Sequence, residues 1–145
     1  MKKTKAFTLM EFLIVVIIIG LIIAFTVPKY GKAVAKADER NMITNLKTMR
    51  VAVDMYMQDG DALGVWIGLT AINSNLGLSI LDTKAMYSCG NAAIVGGDTW
   101  TNYCSATHPN GWVIVFHDEH SNRKVHCGSL LGPCPSCPAA PGDCE

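Results

Sequence analysis

No cysteine occurs before Cys89, and no charged side chain lies between residues 12 and 27. Neither charge sign is in excess: 12 basic residues balance 12 acidic ones, so no nucleic-acid footprint and no acidic solvating tail is present. Low hydrophobicity is missing too. Half of the residues are apolar and 17% are charged, which excludes an intrinsically disordered chain. The sequence contains no phosphate-binding glycine loop, no zinc-protease motif and no dinucleotide fingerprint. It has no Asn-x-Ser/Thr acceptor site and no internal repeat. At 145 residues it has room for one domain and little more.

What is present is unevenly distributed. All six cysteines fall between Cys89 and Cys144, and an even count in so short a chain fits an oxidising compartment. The apolar residues concentrate at the other end. Residues 12–27 read FLIVVIIIGLIIAFTV, and extension back to Phe7 adds a single charge, Glu11. As a helix, residues 7–27 would be ~32 Å long, close to a bilayer core. The competing reading, a buried core helix, fails because Leu, Ile, Val and Phe lie on every side, and a domain this small cannot enclose such a helix. A cleaved secretory signal is suggested by the basic start MKKTK. The run is longer than a signal core, however, and the chain continues AFTVPKYGKAVAKADER without a small-x-small cleavage site. Flanking charge leaves the orientation open, with Lys2, Lys3 and Lys5 before the run and Lys29, Lys32, Lys36 and Arg40 after it. The cysteines put the following domain outside the cytoplasm.

The stretch KAFTLMEFLIVVIIIGLIIAFTVPKY resembles the N-terminus of a type IV pilin or pseudopilin. That family has a short basic leader, a junction read by a peptidase, then Phe-Thr-Leu-x-Glu and a long apolar helix. The resemblance covers residues 5–59 and its motif is highly specific. It implies a leader of residues 1–6, cleavage between Ala6 and Phe7, and N-methylation of Phe7 by the prepilin peptidase or a partner methyltransferase. Glu11 falls on the fifth mature residue, and Gly20, Pro28 and Tyr30 match recurring family positions. The chain departs from the family at Ala6, where glycine is usual.

These residues have a physical logic of their own. A carboxylate near the end of a membrane helix is costly and calls for a cationic partner. Cleavage after Ala6 would create one, the Phe7 ammonium, and the resemblance implies that Glu11 meets the amine of a neighbouring subunit during assembly. The alternative is a glutamate at the headgroup level, or one that caps the first turn through its favourable interaction with the helix dipole. Pro28 lacks an amide hydrogen and clashes with the carbonyl of Ala24, so a kink is expected there, with Gly20 a second weak point. Bending between these two positions during packing is what the resemblance implies; simple tolerance of Gly and Pro in a membrane helix is the alternative.

After Pro28 the pattern becomes amphipathic. Met42, Leu46, Met49, Val53 and Tyr56 form a one-sided stripe that Val34 and Ala37 extend backwards, while Lys32, Lys36, Arg40, Lys47 and Asp54 mostly face elsewhere. Asp59, Gly60 and Asp61 end it. One helix from Phe7 to about Gln58 is therefore expected, with Met49, Met55 and Met57 as core or interface filler. Residues 62–88 suggest a loop with one short helix over 68–76, anchored on the long helix by Trp66 and Ile67. Strands are expected at 92–95, 111–116 and 124–127, with HDEHSNR as a polar hairpin turn between the last two. The predicted fold class is α+β: a long helix packed on a small antiparallel sheet of three or four strands, with a disulfide-rich tail. The expected divisions are a leader at 1–6, a membrane or filament-core helix at 7–28, an amphipathic helix at 29–59 and a globular head at 60–145.

Six cysteines can pair in many ways, and spacing does not choose among them. The expectation is Cys89 with Cys104, and the tail residues Cys134, Cys137 and Cys144 among themselves and with Cys127. A C-terminal loop closed by a disulfide is also what the resemblance implies. Cys134 and Cys137 have redox or metal-pair spacing, but no βαβ pattern surrounds them and the tail is rich in proline. His117 and His120, with Asp118 and Glu119 between them, could ligate a metal; on a polar turn, solvent exposure is the simpler expectation. Trp66, Trp100 and Trp112 fit a core or interface better than a sugar platform.

The function these features imply is assembly, not catalysis, with no cofactor and no metal. The resemblance implies a type IV pilus subunit, a fimbrium of adhesion or motility. Its partners would be like pilin subunits, the prepilin peptidase, the inner-membrane assembly machinery and the membrane itself. A pseudopilin of a type II secretion system is the close alternative, although the Asp-Pro-Trp-Gly-like calcium loop of the major pseudopilin is missing. A single-pass anchored redox or metal-binding domain is the alternative from another class.

Overall fold

A computed structural model describes residues 8–95, 98–118, 124–128, 133–137 and 144. Helix α1 runs from Leu9–Gln58, continuous through Gly20 and Pro28. It stops where Gly60, at φ 90°, donates its amide to the Met57 carbonyl. Glycine accepts this left-handed backbone without the Cβ penalty of other residues. The chain divides into two compact units, Met1–Ala35 and Lys36–Glu145.

In the second unit, the stripe expected on the helix is buried. Met42, Leu46, Met49 and Val53 are each at most 1% exposed, and Ile43 joins them. Tyr56 is half-buried and meets the Trp66 ring edge-on at 5.4 Å. Two expectations about this region need correction. Ala37 is exposed and does not extend the stripe. Ile67 is 74% exposed and anchors nothing, because alternation along a strand turns it away from Trp66.

The sheet has five antiparallel strands in sequence order: β1 (Trp66–Ile67), β2 (Met86–Val95), β3 (Asp98–Thr107), β4 (Val113–Phe116) and β5 (His126–Gly128). Five strands replace the expected three or four. The strand expected at 92–95 is the end of a ten-residue β2, and its partner β3 lies in a stretch with no apolar alternation. What makes β3 a strand is pairing on both sides, with β2 along its length and with β4 from Cys104 to Thr107. Helix α2 (Leu69–Leu76) lies between β1 and β2, with Gly68 at its N-cap and Gly77, left-handed, at its C-cap. The core joins the α1 stripe to Ile72, Tyr87, Trp112, Ile114, Phe116 and Val125.

All six cysteines are bonded: Cys89 with Cys104, Cys127 with Cys134, and Cys137 with Cys144. Cys89 and Cys104 face each other across the β2–β3 ladder. The two cysteines of the Cys-Pro-Ser-Cys segment do not bond to each other.

Candidate functional site

In the first unit, every large apolar side chain from Leu9 to Phe25 is at least 43% exposed. The segment Leu9–Thr26 is long and apolar enough to cross a membrane, and none of it is buried within the chain. Exposure of this extent exceeds what a monomer leaves facing water, so the surface calls for lipid or another protein. Within the run, the Thr26 hydroxyl donates to the Ile22 carbonyl at 3.0 Å, which satisfies a group that hydrocarbon could not. A Cβ added at Gly20 would meet nothing within 4 Å, so no contact among the described residues requires glycine there.

Glu11 stands in the first turn of α1, in a reciprocal cap with Thr8. The Thr8 amide and hydroxyl each donate to Glu11 Oε2 at 2.9 Å, and the Glu11 amide donates to Thr8 Oγ1 at 3.3 Å. The spacing Thr-x-x-Glu at the head of an apolar run is the sequence signature of this capping box; it forms the first-turn cap that was the alternative for Glu11, with Thr8 as the partner. Ala6 and Phe7 lie outside the described residues, as do Glu119 and His120. Pro28 lies within α1.

The head holds a second set of polar side chains. Tyr87 donates its hydroxyl to Asp82 Oδ2 at 2.7 Å and accepts from Asn45 of α1 at 2.9 Å. Burial above all raises the Tyr87 pKa, and the neighbouring Asp82 adds to the rise although the Asn45 bond opposes it. For Asp82, burial pushes the carboxyl up. The Tyr87 hydroxyl, the amides of Lys84 and Ala85 and the Lys84 charge together outweigh it and hold the carboxyl below its ordinary range. Lys84 pairs with Asp38 of α1 at 2.7 Å, and His108 Nε2 lies 3.7 Å from the same carboxylate. These contacts tie the loop before β2 to the helix.

Two residues depart from sequence reasoning more sharply. His117 is 1% exposed, not solvated. Its ring stacks on Trp100 at 5.7 Å and meets His126 edge-on at 5.1 Å, so an imidazole that looked like part of a turn is core. Glu39 was not singled out at all, yet it is fully buried. Its Oε1 accepts the amides of Ser136 at 2.9 Å and Cys137 at 2.8 Å, and its Oε2 accepts the Ser136 hydroxyl. No nearby motif points to it, since its partners lie 97 and 98 residues downstream. No group of three or more metal-ligating side chains occurs among the described residues.

Known proteins of two destinations share stretches of this sequence. The chain is 37% identical over 59 residues to the type II secretion system core protein G of Vibrio cholerae, covering 41% of this chain and 40% of that protein. It is 36% identical over 70 residues to a type IV major fimbrial protein FimA of Dichelobacter nodosus, covering 48% and 45%. Another FimA of that organism is 29% identical over 107 residues, covering 74% and 62%. The chain therefore spans less than two thirds of the length of these curated relatives. No family model and no solved structure matches it. The similarities are thus to type IV pilin-like proteins, one a fimbrial protein and the other a secretion-system protein, each matched over less than half of this chain.

Proposed function

We propose that this chain is a structural subunit of a type IV pilus, made as a membrane-anchored precursor with its head outside the cytoplasm. The observation that carries the reading is the apolar surface from Leu9 to Phe25, exposed on all sides. A surface of that kind is stable in lipid, and it is equally stable among copies of itself. Moving it from one to the other is an assembly reaction that needs no catalytic group in the chain.

In this reading a peptidase removes residues 1–6 after Ala6, and the Phe7 amine is methylated. Residues 7–28 form the membrane and then the filament-core segment, 29–59 the helix entering the head, and 60–145 the head. Glu11 exchanges its Thr8 cap for the Phe7 ammonium of an adjoining subunit, and the stretch from Gly20 to Pro28 bends as subunits pack. Glu11→Ala should insert and be cleaved normally but make few filaments. Glu11→Gln, which keeps the shape, should fall between. Mass spectrometry of the native N-terminus tests processing: a mature chain starting at Phe7 is expected, and fibres built from chains that retain residues 1–6 would refute it.

The similarity to the secretion-system core protein favours a second reading, a pseudopilin. Deletion separates the two: loss of surface fibres supports the pilus, and loss of protein secretion with fibres intact supports the pseudopilus.

A further inference from the structure

The Cys-Pro-Ser-Cys segment presents two successive backbone amides and a hydroxyl to one carboxylate, that of Glu39. Convergent amides of this kind form a nest, a backbone site for anions. Here the anion belongs to the chain itself. The segment has no helix or strand to hold it in shape. What flanks it are two disulfides, each closing a sequence separation of 7: Cys127–Cys134 ties it to β5 just before Pro135, and Cys137–Cys144 starts at the nest's second amide. Cys144 is held in turn by a hydrogen bond from its backbone amide to the Val125 carbonyl at 2.7 Å.

We propose that Ser136 and Cys137 form a disulfide-built carboxylate receptor that latches the tail onto Glu39, and that reduction of the two tail bonds opens the latch. Each opening step is a thiol–disulfide exchange with a dithiol reductant. The S–S bond takes two electrons and two protons and becomes two thiols, while the reductant closes its own disulfide. Access sets the order. Cys134 is half-buried, whereas Cys127, Cys137 and Cys144 are buried and Cys89 and Cys104 fully so, which makes Cys127–Cys134 the first bond a reductant reaches, ahead of Cys137–Cys144 and of the β2–β3 bond. Without its donors a buried carboxylate is strongly disfavoured, so Glu39 and the tail part together and water replaces the nest. Closure of the tail bonds outside the cytoplasm is then the step that buries Glu39. The inference needs no filament and stands or falls apart from the assembly reading.

Amide hydrogen exchange on the full-length chain in detergent tests it, with graded dithiol and thiol counting by alkylation. In the oxidised protein the amides of Ser136 and Cys137 should be protected. At a dithiol level that leaves Cys89–Cys104 closed, they should exchange faster by about tenfold or more, while those of Leu46 and Met49 do not change. Oxidised Glu39→Ala should lose the same protection with all three bonds intact, and Glu39→Gln, which keeps one acceptor oxygen, should retain part of it. Ser136→Ala removes only a hydroxyl at an exposed residue and should loosen the latch without unfolding the head, which keeps the test decisive if Glu39→Ala fails to fold. Unchanged protection on reduction, or in Glu39→Ala and Ser136→Ala alike, would overturn the proposal.

Discussion

One helix, α1, solves the burial problem in two opposite ways. Up to Phe25 its apolar side chains cover the whole circumference and stay exposed among the described residues. From Met42 to Val53 they form a single stripe, and the chain supplies its own cover through α2, the sheet and the tail. Both stretches are regular helix, so local conformation is not what distinguishes them. The distinction lies in the angular spread of apolar residues. A narrow stripe specifies an intramolecular fold, and a full cylinder specifies a solvent or neighbour of its own kind.

The largest expected contrast comes from the same truncation made in each half. Leu46→Ala, at a site with no exposed surface, should cost the head ~2–5 kcal/mol in denaturant unfolding followed by tryptophan fluorescence. Ile18→Ala, at a site half exposed, should leave that transition within about 0.5 kcal/mol. Equal losses would mean that the two halves share one core.

Crosslinks should matter on one side only. Replacing both Cys89 and Cys104 by Ala should lower head stability by ~2–4 kcal/mol and leave membrane insertion unaffected. A charge acts in the converse sense. Ile18→Lys should impair insertion by ~2.5–3.5 kcal/mol, read as the fraction of chain extracted at alkaline pH, with the head still folded.

Much of this division was legible in the sequence, because apolar periodicity is a local signal. The uncharged run at 12–27 and the spacing of Met42, Leu46, Met49 and Val53 announce the two halves. What escaped depends on residues far apart. Glu39 looks like one more charge on a solvated face until a segment 97 residues later wraps it. His117 looks polar until Trp100 stacks on it. The strand β3 shows no alternation, and its neighbours impose the extended form. At the N-terminus the signal is local: a cap at Glu11 was legible as an alternative, and its partner Thr8 lies only three residues away.

The smallest expected effects are in the pH dependence of the head. The folded Asp82 carboxyl lies below its unfolded value of ~3.9, so its contribution is present above that pH and is lost as pH falls through the depressed folded value. Tyr87 has the opposite sign. Its folded value is raised, so its contribution is intact below the unfolded value of ~10 and is lost as pH rises through the higher folded one. Asp82→Asn should therefore shrink the acid limb of the stability curve, and Tyr87→Phe the alkaline limb. Neither change should alter membrane insertion. A change in insertion would show that the two halves are coupled.

In the proposed function, the apolar half of α1 is buried by other copies of the chain once fibres form. The direct measurement places a photo-reactive side chain at Ile18 in one sample and at Met49 in another, and irradiates assembled fibres. Chain-to-chain adducts are expected from position 18 and adducts within one chain from position 49. Lipid adducts alone from position 18 in fibres, or chain-to-chain adducts from position 49 alone, would contradict it.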